Sequence, residues 1–73
     1  MEKEYFIIQN KEGKFLVIDS MSGGYPCFVD DFIEGRIFKN IEDARNILYG
    51  GYGEMFQNEF SNAVIKKIVI KLI

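Results

Sequence analysis

Residues 5 to 18 read Tyr-Phe-Ile-Ile-Gln-Asn-Lys-Glu-Gly-Lys-Phe-Leu-Val-Ile, and this stretch decides the fold of the N-terminal half. Two short runs of β-branched and aromatic residues, 5–8 and 15–18, flank a polar segment, which is the pattern of a β-hairpin. Gly13 fits the last position of a three-residue loop, because a type I turn there ends on a residue with positive φ. The sequence therefore predicts two antiparallel strands joined by a tight turn.

The predicted turn also sets which side chains share a face of the sheet. In this register Asn10 lies opposite Lys14, and side chains alternate between the two faces along each strand. One face then carries Phe6, Ile8, Leu16 and Ile18, and the other carries Tyr5, Ile7, Phe15 and Val17. Both faces of the hairpin are therefore apolar.

The middle of the chain is rich in turn residues. Residues 20–35 contain several glycines and Pro26, which predict a loop with a short extended piece over 27–29. A short strand is predicted over 36–39, where the sequence is Arg-Ile-Phe-Lys.

A helix is predicted after this strand. Asn40 is a typical N-cap residue, and Asp43 three positions later approximates a capping box. Gly50 and Gly51 mark the end of the helix. Apolar residues recur at helical spacing, namely Ile41, Ala44, Ile47 and Leu48.

The last third of the chain predicts a second short helix over 52–62 and a long strand over 63–73. The strand alternates between two groups of side chains. One face carries Val64, Ile68, Ile70 and Leu72, and the other carries Ile65, Val69 and Ile73 together with Lys67 and Lys71.

These elements predict one α+β domain over residues 1–73, with an antiparallel-type sheet of three or four strands covered by one helix. One short helix cannot cover both apolar faces of the sheet. The residues that need other cover are Tyr5, Ile7, Phe15, Val17, Ile65 and Val69. Three candidates for this cover are the aromatic segment 49–60, the loop 25–32 and a second copy of the chain.

The composition, with 48% hydrophobic and 27% charged residues in a chain of 73, is that of one folded domain. Cys27 is the only cysteine and histidine is absent, so neither an intrachain disulfide nor a histidine-containing zinc site is expected. Packing, aided by oligomerisation, then has to supply the stability. The acidic N-terminus is unlike a signal peptide, and no apolar run approaches the ~20 residues that span a bilayer. We therefore expect a cytoplasmic protein without membrane contact.

The charge pattern argues against nucleic acid as the main partner. The net charge is −2, and the excess of acidic residues lies in the first half of the chain. Nucleic-acid-binding domains normally carry a clustered basic surface. A minor alternative uses the basic residues of the second half and predicts a steep dependence of binding on salt. These residues are Arg36, Lys39, Lys66, Lys67 and Lys71.

No arrangement of residues predicts catalysis or a metal site. Cys27 has no histidine to act as its base and is predicted to be a small buried hydrophobic residue. Asp30 and Asp31 are neighbours in an extended segment and point to opposite faces, so they do not converge on one substrate atom. Together with Glu34 they lack the alternating spacing of a calcium-binding loop. We therefore expect no enzymatic activity, no cofactor and no metal.

Several short motifs follow one another along the chain. They are the Asn-Lys-Glu-Gly-Lys turn of residues 10–14, Gly24-Tyr25, Asp30-Asp31, Arg36-Ile37-Phe38-Lys39, Glu42-Asp43-Ala44 and a lysine-rich final strand. In this order the chain resembles small proteins that are common in phages and prophages of low-GC bacteria. The resemblance implies a ββαβ-like fold and a phage setting. Phage proteins of this size often bind and block a host protein, including defence systems such as CRISPR and cyclic-nucleotide immunity.

The first functional hypothesis is a non-enzymatic protein-binding module, specifically a phage-encoded inhibitor of a host defence protein. It would bind a host or phage protein through a sheet edge or the second apolar face, with loop side chains as anchors. The predicted contact residues are Tyr25, Phe28, Asp30, Asp31 and Phe32.

The alternative hypothesis is a protein that binds and sequesters a small ligand or a nucleotide. Its pocket would lie between the sheet and the segment 49–60, or at the interface of a homodimer. The predicted ligand contacts are Tyr49, Tyr52 and Phe56.

Overall fold

The computed structural model describes residues 2–19 and 24–72, and in these ranges it has an α+β fold, as the sequence predicts. The elements are β1 Glu2–Gln9, β2 Phe15–Asp19, β3 Tyr25–Val29, a 3-10 helix Phe32–Glu34, α1 Ile41–Tyr49, α2 Gly51–Met55 and β4 Val64–Lys71. The four strands form one antiparallel sheet in the order β3-β2-β1-β4. The predicted loop at 20–23 and the predicted strand end at Ile73 lie outside the described residues.

The hairpin turn has the predicted geometry. Gly13 has φ +83°, and its N–H donates to the Asn10 carbonyl at 3.0 Å. The Asn10 N–H donates in turn to the Lys14 carbonyl at 3.0 Å. The Asn10 side-chain oxygen accepts from the Glu12 and Lys14 N–H groups at 3.0 and 2.9 Å. This asparagine therefore satisfies the backbone donors that a tight turn leaves unpaired.

Strands β1 and β2 separate soon after this turn. Their register pairs Gln9 with Phe15, and its continuation would bring Phe6 opposite Ile18. Phe6 instead pairs with Phe38: the Phe6 N–H donates to the Phe38 carbonyl at 2.9 Å, and the Phe38 N–H donates back at 2.8 Å. The strand predicted over 36–39 is thus reduced to a single bridge. The fourth strand is β3, in a region predicted to be mainly loop.

The chain changes sides of the sheet at this bridge. Residues 30–35, here called the crossover segment, pass over β2, and the Phe32 ring packs edge-on against Phe15 with ring centroids 5.5 Å apart. The Arg36 N–H then donates to the Leu16 carbonyl at 2.7 Å. Phe15 and Leu16 are adjacent in a strand and therefore point to opposite faces. Because α1 packs on the face of Leu16, the chain passes between β1 and β2 from one face to the other.

The core lies between the sheet and the helices. We call the face covered by α1 the inner face and the opposite one the outer face. Ile8 and Leu16 are fully buried at the centre of the inner face. The other buried members of this cluster are Phe38, Ala44, Leu48 and Phe60. Phe6 and Ile18 pack against the cluster, so the predicted division of hairpin residues between the faces is confirmed.

The helix with the Asn40 N-cap forms as predicted, and a second, short helix follows its C-terminal end. The Asn40 side chain accepts a hydrogen bond from the Asp43 N–H at 3.0 Å, which confirms the N-cap. α1 ends at Tyr49, and Gly50 separates it from the five-residue α2. Residues 56–62 form turns, so the second helix is shorter than predicted. In the described part of the chain, no helix has the length and apolar character needed to cross a bilayer.

The assignment of two β4 residues to the outer face is wrong. β4 pairs with β1 so that Ile65 lies opposite Ile8 and Val69 lies opposite Glu4. Directly opposed residues share a face, so Ile65 and Val69 are on the inner face. Period-two alternation sorts β4 into two groups, but only the pairing register says which group joins which face.

Two glycines of α2 make a sensitive test of this packing. Gly53 is buried, and a Cβ there would overlap the Leu48 carbonyl, whereas a Cβ on Gly51 meets nothing within 4 Å. We expect Gly53→Ala to destabilise the fold by about 1–3 kcal/mol through overpacking. Gly51→Ala should stabilise it by roughly 0.5 kcal/mol through helix propensity. Urea unfolding of both variants measures the difference, and equal effects would contradict this packing.

Candidate functional site

Neither α1 nor α2 packs on the outer face of the sheet. Ile7 lies at its centre and is 4% exposed, whereas Val64 and Ile70 on β4 are 46% and 39% exposed. Strand alternation and the β1–β4 register define its members. They are Lys3, Tyr5, Ile7, Gln9, Phe15, Val17, Cys27, Val29, Val64, Lys66, Ile68 and Ile70.

The bridge to Phe38 extends this face. Continuing the antiparallel register brings Ile37 opposite Ile7 and Lys39 opposite Tyr5. Ile37 is an exposed apolar residue. The outer face therefore continues across the gap between β1 and β2 instead of ending at it.

The crossover segment covers only the hairpin end of the outer face. The Asp31 carboxylate accepts the Ile33 N–H at 3.0 Å and so caps the 3-10 helix. Gly35 lies against Phe15, where an added Cβ would be 2.8 Å from the Phe15 Cβ. Ile33 points away from this packing and is 84% exposed. The segment thus forms a ridge with an exposed isoleucine.

A shallow cleft of about 380 Å³ lies toward the opposite end of the outer face. It is lined by Lys3, Glu4, Tyr5 and Lys39. Two of these residues are lysines whose ammonium groups have no carboxylate within 4.0 Å among residues 2–19 and 24–72. The cleft is therefore lined by two lysines, a tyrosine and Glu4, whose carboxylate pairs with Lys67.

The charged side chains of β1 and β4 are divided between the faces. On the inner side, Lys67 pairs with Glu4 at 3.6 Å and Lys71 pairs with Glu2 at 3.2 Å. Lys66 lies on the outer face opposite Ile7, and no described carboxylate is within 4.0 Å of it. The outer face of β1 and β4 thus carries cations without neighbouring acids.

The residues predicted to contact a partner lie at two ends of β3. Tyr25, at the start of the strand, donates to Glu59 Oε1 at 2.8 Å, and its ring lies 4.9 Å from Phe56. Phe28 faces the core, with its ring 6.0 Å from that of Phe60. Asp30, Asp31 and Phe32 follow the other end of β3. The structure therefore joins the last three but separates them from Tyr25.

Asp30 already has a nearby cation. Its carboxylate lies 3.8 Å from Lys14 Nζ, and both side chains are exposed. Such a surface pair contributes little to stability, so Asp30 can exchange this contact for one with a partner.

Two of the three residues predicted to contact a ligand, Tyr52 and Phe56, form an aromatic cluster with Phe60 beside the core. Tyr52 donates to the Gly24 carbonyl at 2.5 Å, and its ring lies 4.9 Å from Phe56 and 5.8 Å from Phe60. Tyr49 is separate and 69% exposed. The cluster ties α2 to the start of β3.

Two tyrosines of this region, Tyr25 and Tyr52, have a raised pKa. Burial raises the pKa of Tyr52 above its ordinary value of 10.0. The hydrogen bond to Glu59 and the negative charge of that carboxylate raise the pKa of Tyr25. Both hydroxyl groups therefore act as donors at neutral pH.

Cys27 is exposed, so the prediction of a buried cysteine is wrong. It pairs with Val17 in the edge strand β3. Val17 is on the outer face, so Cys27 also points to the side of the sheet that the helices do not cover. In the described ranges, no group of three or more cysteine, aspartate or glutamate residues is placed to hold a metal ion.

Sequence reasoning placed Val64, Ile68 and Ile70 on the opposite face, and the β1–β4 register shows that this assignment is wrong. It also did not assign Lys3, Ile37 or Lys39 to the outer face. Lys3 could have been found, because it alternates with Tyr5 and Ile7 along β1. Lys39 and Ile37 carried no such signal, since their place depends on the single bridge between Phe6 and Phe38.

The partly buried hydroxyl of Tyr52 gives a pH-dependent prediction. Its raised pKa means that ionisation opposes folding, so this contribution to stability is present below pH 10.0 and is lost as pH rises through the higher folded pKa. Tyr52→Phe should cost about 1 kcal/mol at neutral pH by losing the hydrogen bond. The urea concentration at the midpoint of unfolding should then fall less for Tyr52→Phe than for the unaltered chain between about pH 9 and about pH 11. Tyr49→Phe is the exposed control, and an equal loss in both variants would contradict this role.

The geometry thus presents one broad apolar face, a cationic cleft at one end of it and an acidic ridge at the other. No protein-family model, curated protein or solved structure matches this chain.

Proposed function

We propose that this chain is a non-enzymatic protein-binding module that binds through the outer face of its sheet. The observation that supports this most is that α1 and the aromatic cluster pack on the inner face, while Val64 and Ile70 stay exposed beside Ile68 on the outer one. An apolar surface of this kind on a soluble domain marks a site of protein interaction. The flanking lysines supply the polar rim that such interfaces carry.

The face supports binding better than either sheet edge does. The β4 edge carries Lys66, Lys67 and Lys71, and lysines on an edge strand discourage the addition of another strand. The β3 edge carries Pro26, which has no N–H to donate to a further strand. A partner is therefore expected to pack on side chains and not to extend the sheet.

A small-ligand site has less support. Tyr52 and Phe56 make their contacts with each other and with Phe60, so their rings are engaged in packing. The cleft beside Tyr5 is shallow, whereas ligand pockets enclose most of the ligand surface. A broad face with shallow relief suits a protein surface better.

The resemblance to phage and prophage proteins supplies the setting of the proposal. In that setting the partner is a host protein of the cytoplasm, such as a component of a defence system. A small module that occupies a functional surface of its target inhibits by steric occlusion. This part of the proposal rests on the resemblance and on no residue of the site.

The proposal is tested by capture from bacterial lysate with tagged chain and face variants. Val64→Glu and Ile70→Glu replace exposed residues, so the fold should persist while the apolar face is lost. We expect a stoichiometric host protein that is captured by the unaltered chain and lost with both variants. Quantitative mass spectrometry measures the ratio of captured host protein to tagged chain.

The matched control is Met55→Glu, which alters a 76% exposed apolar residue on α2. Capture that is equally weak in the control and the face variants would contradict binding through the outer face. Circular dichroism and melting temperature show that each variant is folded. A nucleotide that raises the melting temperature in the absence of any captured protein would favour the alternative function.

A further inference from the structure

We infer that the outer face takes a second copy of this chain, in a symmetric dimer in which the crossover segment of each copy docks in the lysine-lined cleft of the other. This inference rests on the proposed function, because it uses the same face, which a second copy and a host protein would occupy in turn. The arguments are surface area, the order of charges along the face and the shape of its two ends.

The exposed area of the chain exceeds that of a compact monomer. The chain exposes 5267 Å², whereas a monomer of 8.5 kDa is expected to expose roughly 4,650 Å². The excess of roughly 600 Å² approaches the ~800 Å² that each partner buries in a standard interface. The radius of gyration, 12.2 Å, is likewise above the roughly 11 Å expected for this length.

The outer face has opposite charges at its two ends. The crossover segment, at the hairpin end, carries Asp30, Asp31 and Glu34. Lys3 and Lys39 lie at the cleft, toward the other end of β1. Gln9, the residue that pairs with Phe15, lies six residue steps after Lys3, which corresponds to about 20 Å along the strand. The charge of the face therefore changes along the strand direction, and Ile7 and Lys66 lie between its two ends.

A surface with this polarity complements itself under a two-fold rotation. An axis that lies parallel to the sheet, perpendicular to the strands and close to Ile7 exchanges the two ends. Two sheets packed face to face in this way bring each acidic ridge over the lysines of the partner. Ile68 and Val17 of the two outer faces then meet near the centre, and the Lys66 residues of the two copies lie beside the axis.

The two ends also match in shape. Ile33 is the most exposed large apolar residue in the described part of the chain and stands on the ridge between Asp31 and Glu34. The cleft offers the partner's Ile33 an aromatic wall at Tyr5 and two lysines, and the carboxylate of Glu4, the fourth lining residue, pairs with Lys67. An isoleucine flanked by carboxylates fits such a cleft both by hydrophobic contact and by charge.

Other occupants match only part of this face. A uniformly acidic protein or an anionic bilayer would meet the lysines favourably but would also face the carboxylates of the crossover segment. A uniformly basic protein would meet the carboxylates of the crossover segment favourably but would also face the lysines. A second copy, placed antiparallel, offers both signs of charge in the required order.

Sedimentation velocity and native mass spectrometry of the full chain test the dimer directly. We expect a concentration-dependent species of twice the 8.5 kDa chain mass between low micromolar and near-millimolar concentration. Ile33→Asp changes an exposed residue, so the fold should persist, and the dissociation constant should rise by about tenfold or more. A chain that sediments as a monomer at every concentration overturns the inference.

A charge exchange tests the relative placement of the two copies. Lys39→Glu and Glu34→Lys each create two like-charge contacts in their own homodimer, so each variant alone should dimerise about tenfold more weakly or worse. An equimolar mixture should recover dimerisation, because in the mixed dimer both contacts again join opposite charges. Glu34 is chosen over Asp31 because the Asp31 carboxylate caps the 3-10 helix.

The matched controls are Arg45→Glu and Glu42→Lys, which change the same charges on α1, on the other side of the sheet. We expect both control variants to dimerise like the unaltered chain, alone and mixed. A dimer that is insensitive to Ile33→Asp and to the charge exchange overturns this interface. Lysate capture with Val64→Glu and Ile70→Glu still judges the proposed function separately, because a monomer can bind another protein through the same face.

Discussion

The backbone pairing of Phe6 with Phe38 is the contact on which the arrangement of this chain depends. Where β2 leaves β1, the N–H and carbonyl groups of Phe6 would lie unpaired next to the core, at a cost of about 1–3 kcal/mol per buried group. Phe38 satisfies both groups and buries its own ring among Ile8 and Leu16. The crossover segment, which precedes the bridge, lies on the outer face. The chain after the bridge continues on the inner face as α1.

This passage divides the chain unequally between the two faces of the sheet. Among residues 2–19 and 24–72, the inner face receives α1, the aromatic cluster and ion pairs such as Lys67 with Glu4, whereas the outer face receives the crossover segment. The result is an apolar outer face with acids at one end and lysines at the other. That combination supports protein binding, and its self-complementary order supports a second copy as the partner.

Much of the local structure could be predicted from the sequence, because neighbouring residues cause it. Gly13 closes the hairpin through its own positive φ, and Asn40 caps a donor only three residues away. The alternation of the hairpin residues likewise predicts a second apolar face around Ile7 without reference to the rest of the chain. The fold class and the surplus of apolar surface therefore follow from short-range patterns.

The remaining features were decided by contacts between distant segments. The sequence by itself determined that β4 has two alternating groups of side chains, whereas its register with β1 placed Ile65 in the core. It marked Lys39 as basic, but only the bridge at Phe38 brought this lysine beside Tyr5. The sequence predicted that Ile33 lies in a loop, whereas the packing of the crossover segment over β2 places Ile33 at the tip of an acidic ridge. The physical reason is that strand pairing joins residues far apart in the chain, and no local pattern encodes which hydrogen-bonding edge a distant segment will occupy.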